Sequence, residues 1–202
     1  ERYWIPSLES GELAFAKAEH RRFAEQAAGL GFSERLKVLM AKVDPSPGEV
    51  RTLSAELSKN ANASLVQRVV MAIAEGQVSS EAVQLALLEG LRRIGSQGRL
   101  EREREIDLLA ALLSHPNDTM AIRAAQVLGS WKAVSTGPSL NAVLSDLNRP
   151  IEVRRAVALA MAQMVQTDLT EVLRDMAAHG TIEDRYLAVG ALANADVSYA
   201  LS

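Results

Sequence analysis

Three arginines recur at one position of a repeated segment, and this periodicity restricts the possible folds more than any other feature of the chain. Arg154 follows Arg123 by 31 residues, and Arg185 follows Arg154 by the same 31. Each lies near the start of a run whose apolar residues have helical spacing. A repeat of this length is typical of stacked helix pairs, because each pair buries its apolar faces only against its neighbours. The sequence therefore predicts an all-α fold, an α-solenoid of stacked antiparallel helix pairs.

Helix-start signals divide the chain into short helices. Ser46-Pro47-Gly48-Glu49 offers an N-cap serine, an early proline and a glutamate placed for a capping box, and Thr181 with Asp184 repeats this arrangement. No stretch alternates apolar and polar residues as a half-buried strand would. Helices are expected near residues 8–28, 33–42, 47–58, 64–75, 80–94, 99–114, 118–132, 138–147, 150–166, 168–178 and 181–195.

The repeat pattern covers most of the chain but not its beginning. About five helix pairs are expected over residues 43–202, whereas residues 1–42 read as an N-terminal helical cap or irregular first repeats. In the last pair the first helix is shifted by 29 residues rather than 31, so two extra residues are expected in the turn around 177–180. Because the chain begins at Glu1 without an initiator methionine, we expect it to be part of a longer protein.

The second helix of each pair begins with a similar motif, as in Val153-Arg154-Arg155-Ala156. In this motif the chain resembles the HEAT-repeat family, clearly over residues 105–195 and more weakly over 45–95. The resemblance implies that Arg123, Arg154 and Arg185 form a structural ladder, in which each arginine pairs with an acidic residue between neighbouring repeats. Asp118 and Asp146 are the candidate partners.

Composition argues against catalysis, cofactors and several classes of partner. The chain has no cysteine, which excludes thiolate metal sites and cysteine nucleophiles, and its three histidines stand far apart. No catalytic, cofactor-binding or metal-binding residues are therefore predicted, and the protein is not expected to be an enzyme. A net charge of −3 and 4% aromatic residues argue against nucleic acid as a partner. No apolar run is long enough to insert into a membrane. We expect a soluble monomer in a compartment that the sequence does not fix.

Two other features have structural explanations. The run of residues 99–105 alternates arginine and glutamate around one leucine, which favours a solvent-exposed helix face over a phosphate-binding patch. Trp131 could anchor a partner, but a position at the junction between two repeats is the more favoured interpretation.

The predicted function is a non-enzymatic helical-repeat scaffold that binds a protein or peptide along its concave face. Equivalent positions 132, 163 and 194 are polar, and positions 124, 155 and 186 vary in character. The residues expected to contact the partner are Arg155, Tyr186, Lys132, Gln163 and Asn194.

Three alternatives remain open at this point. The chain could be a helical spacer domain of a larger multidomain protein or enzyme. More remotely, helical repeats also occur in bilin lyases and in DNA glycosylases, and both of those comparisons rest on fold analogy alone.

Overall fold

The computed structural model describes residues 31–95, 103–164 and 167–200, with side chains up to residue 195. This part of the chain forms ten α-helices and contains no β-strand. The helices are α1 (Phe32–Ala41), α2 (Pro47–Lys59), α3 (Ala63–Ala74), α4 (Glu81–Gly95), α5 (Glu103–Ala111), α6 (Asp118–Ser130), α7 (Gly137–Ser145), α8 (Ile151–Gln163), α9 (Thr167–His179) and α10 (Ile182–Ala200). Short 3-10 turns follow α5 at Leu112–Ser114 and precede α7 at Val134–Thr136. The all-helical prediction is confirmed, and the helix expected over residues 8–28 lies outside the described residues.

The chain divides into two compact units, Glu1–Leu39 and Met40–Ser202. In the second unit the helices form two rows. The second helices of the repeats, α2, α4, α6, α8 and α10, pack successively on one another. The first helices, α3, α5, α7 and α9, form the other row, in which α3 packs on α5 and α7 packs on the 3-10 turn that follows α5. This succession of antiparallel pairs is the predicted α-solenoid.

Local hydrogen bonds explain why the helices begin where they do. Ser46 and Glu49 form the expected capping box, in which the Ser46 Oγ accepts from the Glu49 N–H at 3.3 Å and the Glu49 carboxylate accepts from the Ser46 N–H at 2.7 Å. Thr181 and Asp184 form a second capping box at the start of α10. The helix α6 is capped by Asn117, whose side chain accepts from two backbone N–H groups.

The core lies between the two rows and uses small residues where second helices approach closely. Ala125, Ala156 and Leu187 occupy one repeat position and are all buried. A Cβ added at Gly129 would lie 2.8 Å from the Cα of Ala160, so glycine is required where α6 meets α8. Such close helix contacts bury apolar surface on both sides and exclude larger side chains.

Trp131 joins two neighbouring repeats. Its side chain is buried, and its indole Nε1–H donates a 2.8 Å hydrogen bond to the carbonyl of Leu91 at the end of α4. Gly95 makes room for the ring, since a Cβ at this position would lie 1.9 Å from the Trp131 Cδ1 atom. This burial favours the junction interpretation over a partner-binding anchor.

The charged run is only partly exposed. Residues 99–102 lie outside the described part of the chain. Glu103 and Arg104 are exposed, but Glu105 is buried in the row of first helices. The expectation of a wholly solvent-exposed helix face is therefore wrong at Glu105, which turns inward at the first turn of α5.

Candidate functional site

All five residues that the sequence assigned to partner binding belong to the row of second helices and are exposed. Arg155 and Gln163 lie on α8, Tyr186 and Asn194 lie on α10, and Lys132 lies two residues after the end of α6. We call the exposed side of this row the second-helix face. The guanidinium carbon of Arg155 lies 5.9 Å from the centroid of the Tyr186 ring, a cation–π contact between neighbouring repeats.

Lys132 and Gln163 lie elsewhere on this face, in an open groove across α4, α6 and α8. The groove has a volume of about 830 Å³. Its polar lining consists of Glu89, Arg92, Arg93, Arg123, Gln126, Ser130, Lys132 and Gln163. We call it the arginine groove. Asn194 lies in neither group, and its side chain donates to the backbone carbonyl of Gly190 at 2.8 Å.

Glu89 organises the arginines of the groove. It accepts two hydrogen bonds from Arg92, with both donor–acceptor distances 2.9 Å, and a third from Arg93 at 3.0 Å. Arg123 approaches the same carboxylate from the next repeat, with 3.6 Å between its Nη1 and the Glu89 Oε2. The Nη1 of Arg123 also donates to the side chain of Gln126 at 3.0 Å. One carboxylate thus holds three guanidinium groups from two repeats.

The pKa of Glu89 reflects this crowding of positive charge. The hydrogen bond from Arg92 lowers the pKa most, partial burial opposes it, and Arg93 adds to the lowering, so that the pKa falls to about 2. Glu89 is therefore ionised at every physiological pH.

Lys132 occupies an unusual backbone position at the rim of the groove. Its φ angle is +51°, the only positive value at a non-glycine residue among the described residues. The turn ends α6 with the Ala133 N–H donating to the Leu128 carbonyl at 3.1 Å, a position where glycine is normally preferred. This backbone conformation is sterically unfavourable for lysine, and the side chain of Lys132 brings a positive charge to the groove.

The three phased arginines have different environments. Arg154 is buried, and its Nε donates to the Leu144 carbonyl at 2.8 Å while its Nη2 donates to the Asp184 carboxylate of the next repeat. Asp184 is a capping residue of α10, so the same carboxylate caps this helix and binds Arg154. Neither Asp118 nor Asp146 pairs with a phased arginine among the described residues, which corrects that expectation.

Arg185 differs from Arg154 although it has the same position in its repeat. It is exposed, and its Nε donates to the Gly180 carbonyl at 2.9 Å within its own turn. It forms no ion pair with the described residues, because the described chain contains no further repeat beyond α10.

A comparison with known families agrees with this architecture. Residues 106–193 match the family model of HEAT repeats. This segment is a run of HEAT repeats. HEAT repeats are helical scaffolds that often mediate protein interactions and are generally non-catalytic. No curated protein matches the chain.

Sequence reasoning missed the residue that joins the first two HEAT repeats of this segment. Arg149 precedes α8 and donates to the backbone carbonyls of Leu113 and His115, the latter at 3.4 Å. It also lies 3.7 Å from the carboxylate of Asp118. Because Arg149 is outside the repeated motif, periodicity gave no signal for it.

The opposite side of the HEAT repeats is acidic. A groove of about 770 Å³ between α7 and α9 is lined by four carboxylates, from Asp168, Glu171, Asp175 and Asp184, and by the basic side chains of Arg154 and His179. Asp107 and Asp146 lie with Arg149 in a second groove between α5 and α7. Because the second-helix face carries the arginine groove, the two sides of the solenoid differ in charge.

Two features are absent among the described residues: a metal-binding cluster and a membrane-spanning helix. They contain no cluster of three histidine or carboxylate side chains that could hold a metal ion. Among the described helices, none has the length and apolar character needed to cross a bilayer.

Proposed function

We propose that the protein is a non-enzymatic scaffold that binds a protein or peptide partner along the second-helix face. The observation that carries this proposal is the combination of an open groove with an exposed apolar patch on the same row of helices. Tyr186 is 67% exposed, and Ile182 and Val189 lie on the same side of α10 with exposures of 88% and 57%. Exposed apolar residues beside polar groups are characteristic of surfaces that bind other proteins.

The pairing of Arg155 with Tyr186 supports the same assignment. Tyrosine and arginine contribute a large share of the binding energy at protein interfaces, because each combines apolar contact area with hydrogen-bonding groups. Here the cation–π contact holds both side chains in place before a partner binds, which reduces the entropy lost on association. A monomeric scaffold presenting this face would bind an extended segment across several repeats.

A peptide selection tests the proposal without a known partner. Peptides selected from an unbiased display library on the immobilised protein are expected to bind the second-helix face. Tyr186→Ala should weaken their binding by about tenfold or more, as substitution of a central interface aromatic does. Arg174→Ala, which changes an exposed residue of the first-helix row, is the matched control and should leave binding unchanged. If the peptides lose affinity for the Arg174 variant and not for the Tyr186 variant, the binding site lies on the first-helix row and the proposal is wrong.

A further inference from the structure

We infer that the arginine groove binds an acidic protein segment, with carboxylates of the segment on Arg92 and Arg123. This inference rests on the proposed function and adds the chemistry of the partner. Arg92, Arg93, Arg123 and Lys132 bring four positive charges to the groove, and among the described residues Glu89 is the one carboxylate that lines it. The groove is thus strongly cationic, although the chain as a whole has a net charge of −3.

Glu89 fixes the arginines without using all of their donors. A guanidinium group has five N–H donors. Glu89 takes the Nε and Nη2 of Arg92, and Glu89 and Gln126 share the Nη1 of Arg123. Among the described residues, nothing binds the Nη1 of Arg92 or the Nη2 of Arg123. These donors face an open groove and match the geometry of a carboxylate.

The groove is organised before a ligand arrives. The ion pairs with Glu89 hold the arginine side chains in place, so binding costs little additional side-chain entropy. The left-handed backbone of Lys132 points to the same conclusion, because a glycine would fit this turn at lower steric cost but would carry no charge. The acidic residues on the first-helix side would repel an acidic segment and restrict it to the second-helix face.

The lining favours a protein segment over a nucleic acid. Beside its charges the groove presents glutamine side chains and the half-buried Leu159, next to the buried Ala156 and Ala160, and no aromatic ring of the described residues lines it. Single-stranded nucleic acids are held by stacking of bases on aromatic side chains as well as by phosphate contacts. Trp131 stands between two residues of the groove, Ser130 and Lys132, but its own side chain is buried against α4. Apolar and amide contacts beside a few fixed cations suit a peptide with carboxylates between apolar residues.

Fluorescence anisotropy with three labelled probes tests the inference: oligoglutamate, oligoglutamine of the same length, and oligothymidylate. The protein should bind oligoglutamate at low ionic strength and more weakly as salt rises, and should bind oligoglutamine far more weakly. Arg123→Gln should reduce the affinity for oligoglutamate by about tenfold, as loss of a charged hydrogen bond does. Lys132→Gly should also reduce it. Arg174→Gln, which removes the same charge from the first-helix row, should change it less than about twofold.

Each contrary result has a definite meaning. No oligoglutamate binding, equal losses in the Arg123 and Arg174 variants, or tighter binding of oligothymidylate through the same residues would overturn the inference. Library peptides that bind the second-helix face but carry no acidic residues would overturn the acidic preference and leave the proposed function standing. The absence of any peptide that competes for this face would contradict the proposed function itself.

Discussion

Arg154→Ala should destabilise the fold substantially, whereas Arg155→Ala should not, although the two residues are adjacent. The Arg154 side chain is 4% exposed and ties the Leu144 carbonyl of its own repeat to Asp184 of the next. Its removal breaks two charge-assisted hydrogen bonds, each worth about 1.5–3 kcal/mol. Asp184 keeps its bonds from Thr181 and is 15% exposed, so water offsets part of the loss. We expect the free energy of unfolding to fall by about 2–4 kcal/mol.

Urea denaturation of the two variants measures this difference. Arg155 is exposed and lies over the ring of the exposed Tyr186, so its replacement should change the free energy of unfolding by less than about 0.5 kcal/mol. A larger loss in the Arg155 variant would refute the reasoning, because it would show that the inter-repeat link lies at the other position.

The same link should make stability depend on pH. Burial raises the pKa of Asp184, but hydrogen bonds from Thr181 and Arg154 outweigh it and hold the pKa below its ordinary value of 3.8. A carboxyl group with a lowered pKa stabilises the folded state above its unfolded pKa, and this contribution is lost as pH falls through the folded pKa. The stability difference between the wild-type protein and Arg154→Ala should therefore shrink below about pH 4. A difference that grows with acidification would contradict the role of the Asp184 carboxylate.

The remaining predictions concern the repeat junction and the groove. Gly95→Ala should lower the free energy of unfolding by about 1–3 kcal/mol, since its Cβ would overlap the Trp131 ring. Trp131→Phe should cost about 1–2 kcal/mol in the same urea assay, because it removes the hydrogen bond to Leu91. Lys132→Gly should leave thermal stability unchanged or raise the free energy of unfolding by up to about 1 kcal/mol, and a marked loss would disprove the steric argument. Binding of oligoglutamate, followed by anisotropy against pH, should fall near the glutamate pKa of about 4.3, because the ligand then loses charge while Glu89 remains ionised.

The helices were predictable because their signals are local. Caps such as Ser46 with Glu49 act within one turn, and apolar spacing fixed the phase of each second helix. The two extra residues of the last pair were predicted to lie in its turn, and this prediction is wrong. The extra residues lengthen α9, which runs to His179, and do not enlarge the turn. Helix propagation through Ala177 and Ala178 is favourable enough to absorb them.

The contacts between repeats were less predictable because they depend on residues that do not repeat. Arg154 finds a carboxylate at position 184, but the equivalent position facing Arg123 is Val153, so Arg123 turns to Glu89 of the preceding repeat. One feature of the sequence could have predicted the arginine groove. Glu89, Arg92 and Arg93 have the spacing of helical ion pairs, and their position one repeat before Arg123 would have indicated a charge cluster.

The most direct test of the central claim is photo-crosslinking of a library-selected peptide to the two faces of the solenoid. A photoreactive residue would replace Gln163 in the arginine groove in one variant and Asn141 in the acidic groove of the first helices in the other. Both positions are exposed, so neither replacement should disturb the fold. We predict that the peptide crosslinks from position 163 and not from position 141. Crosslinking from position 141 alone would show that the partner binds the first helices, and would contradict the assignment of the second-helix face.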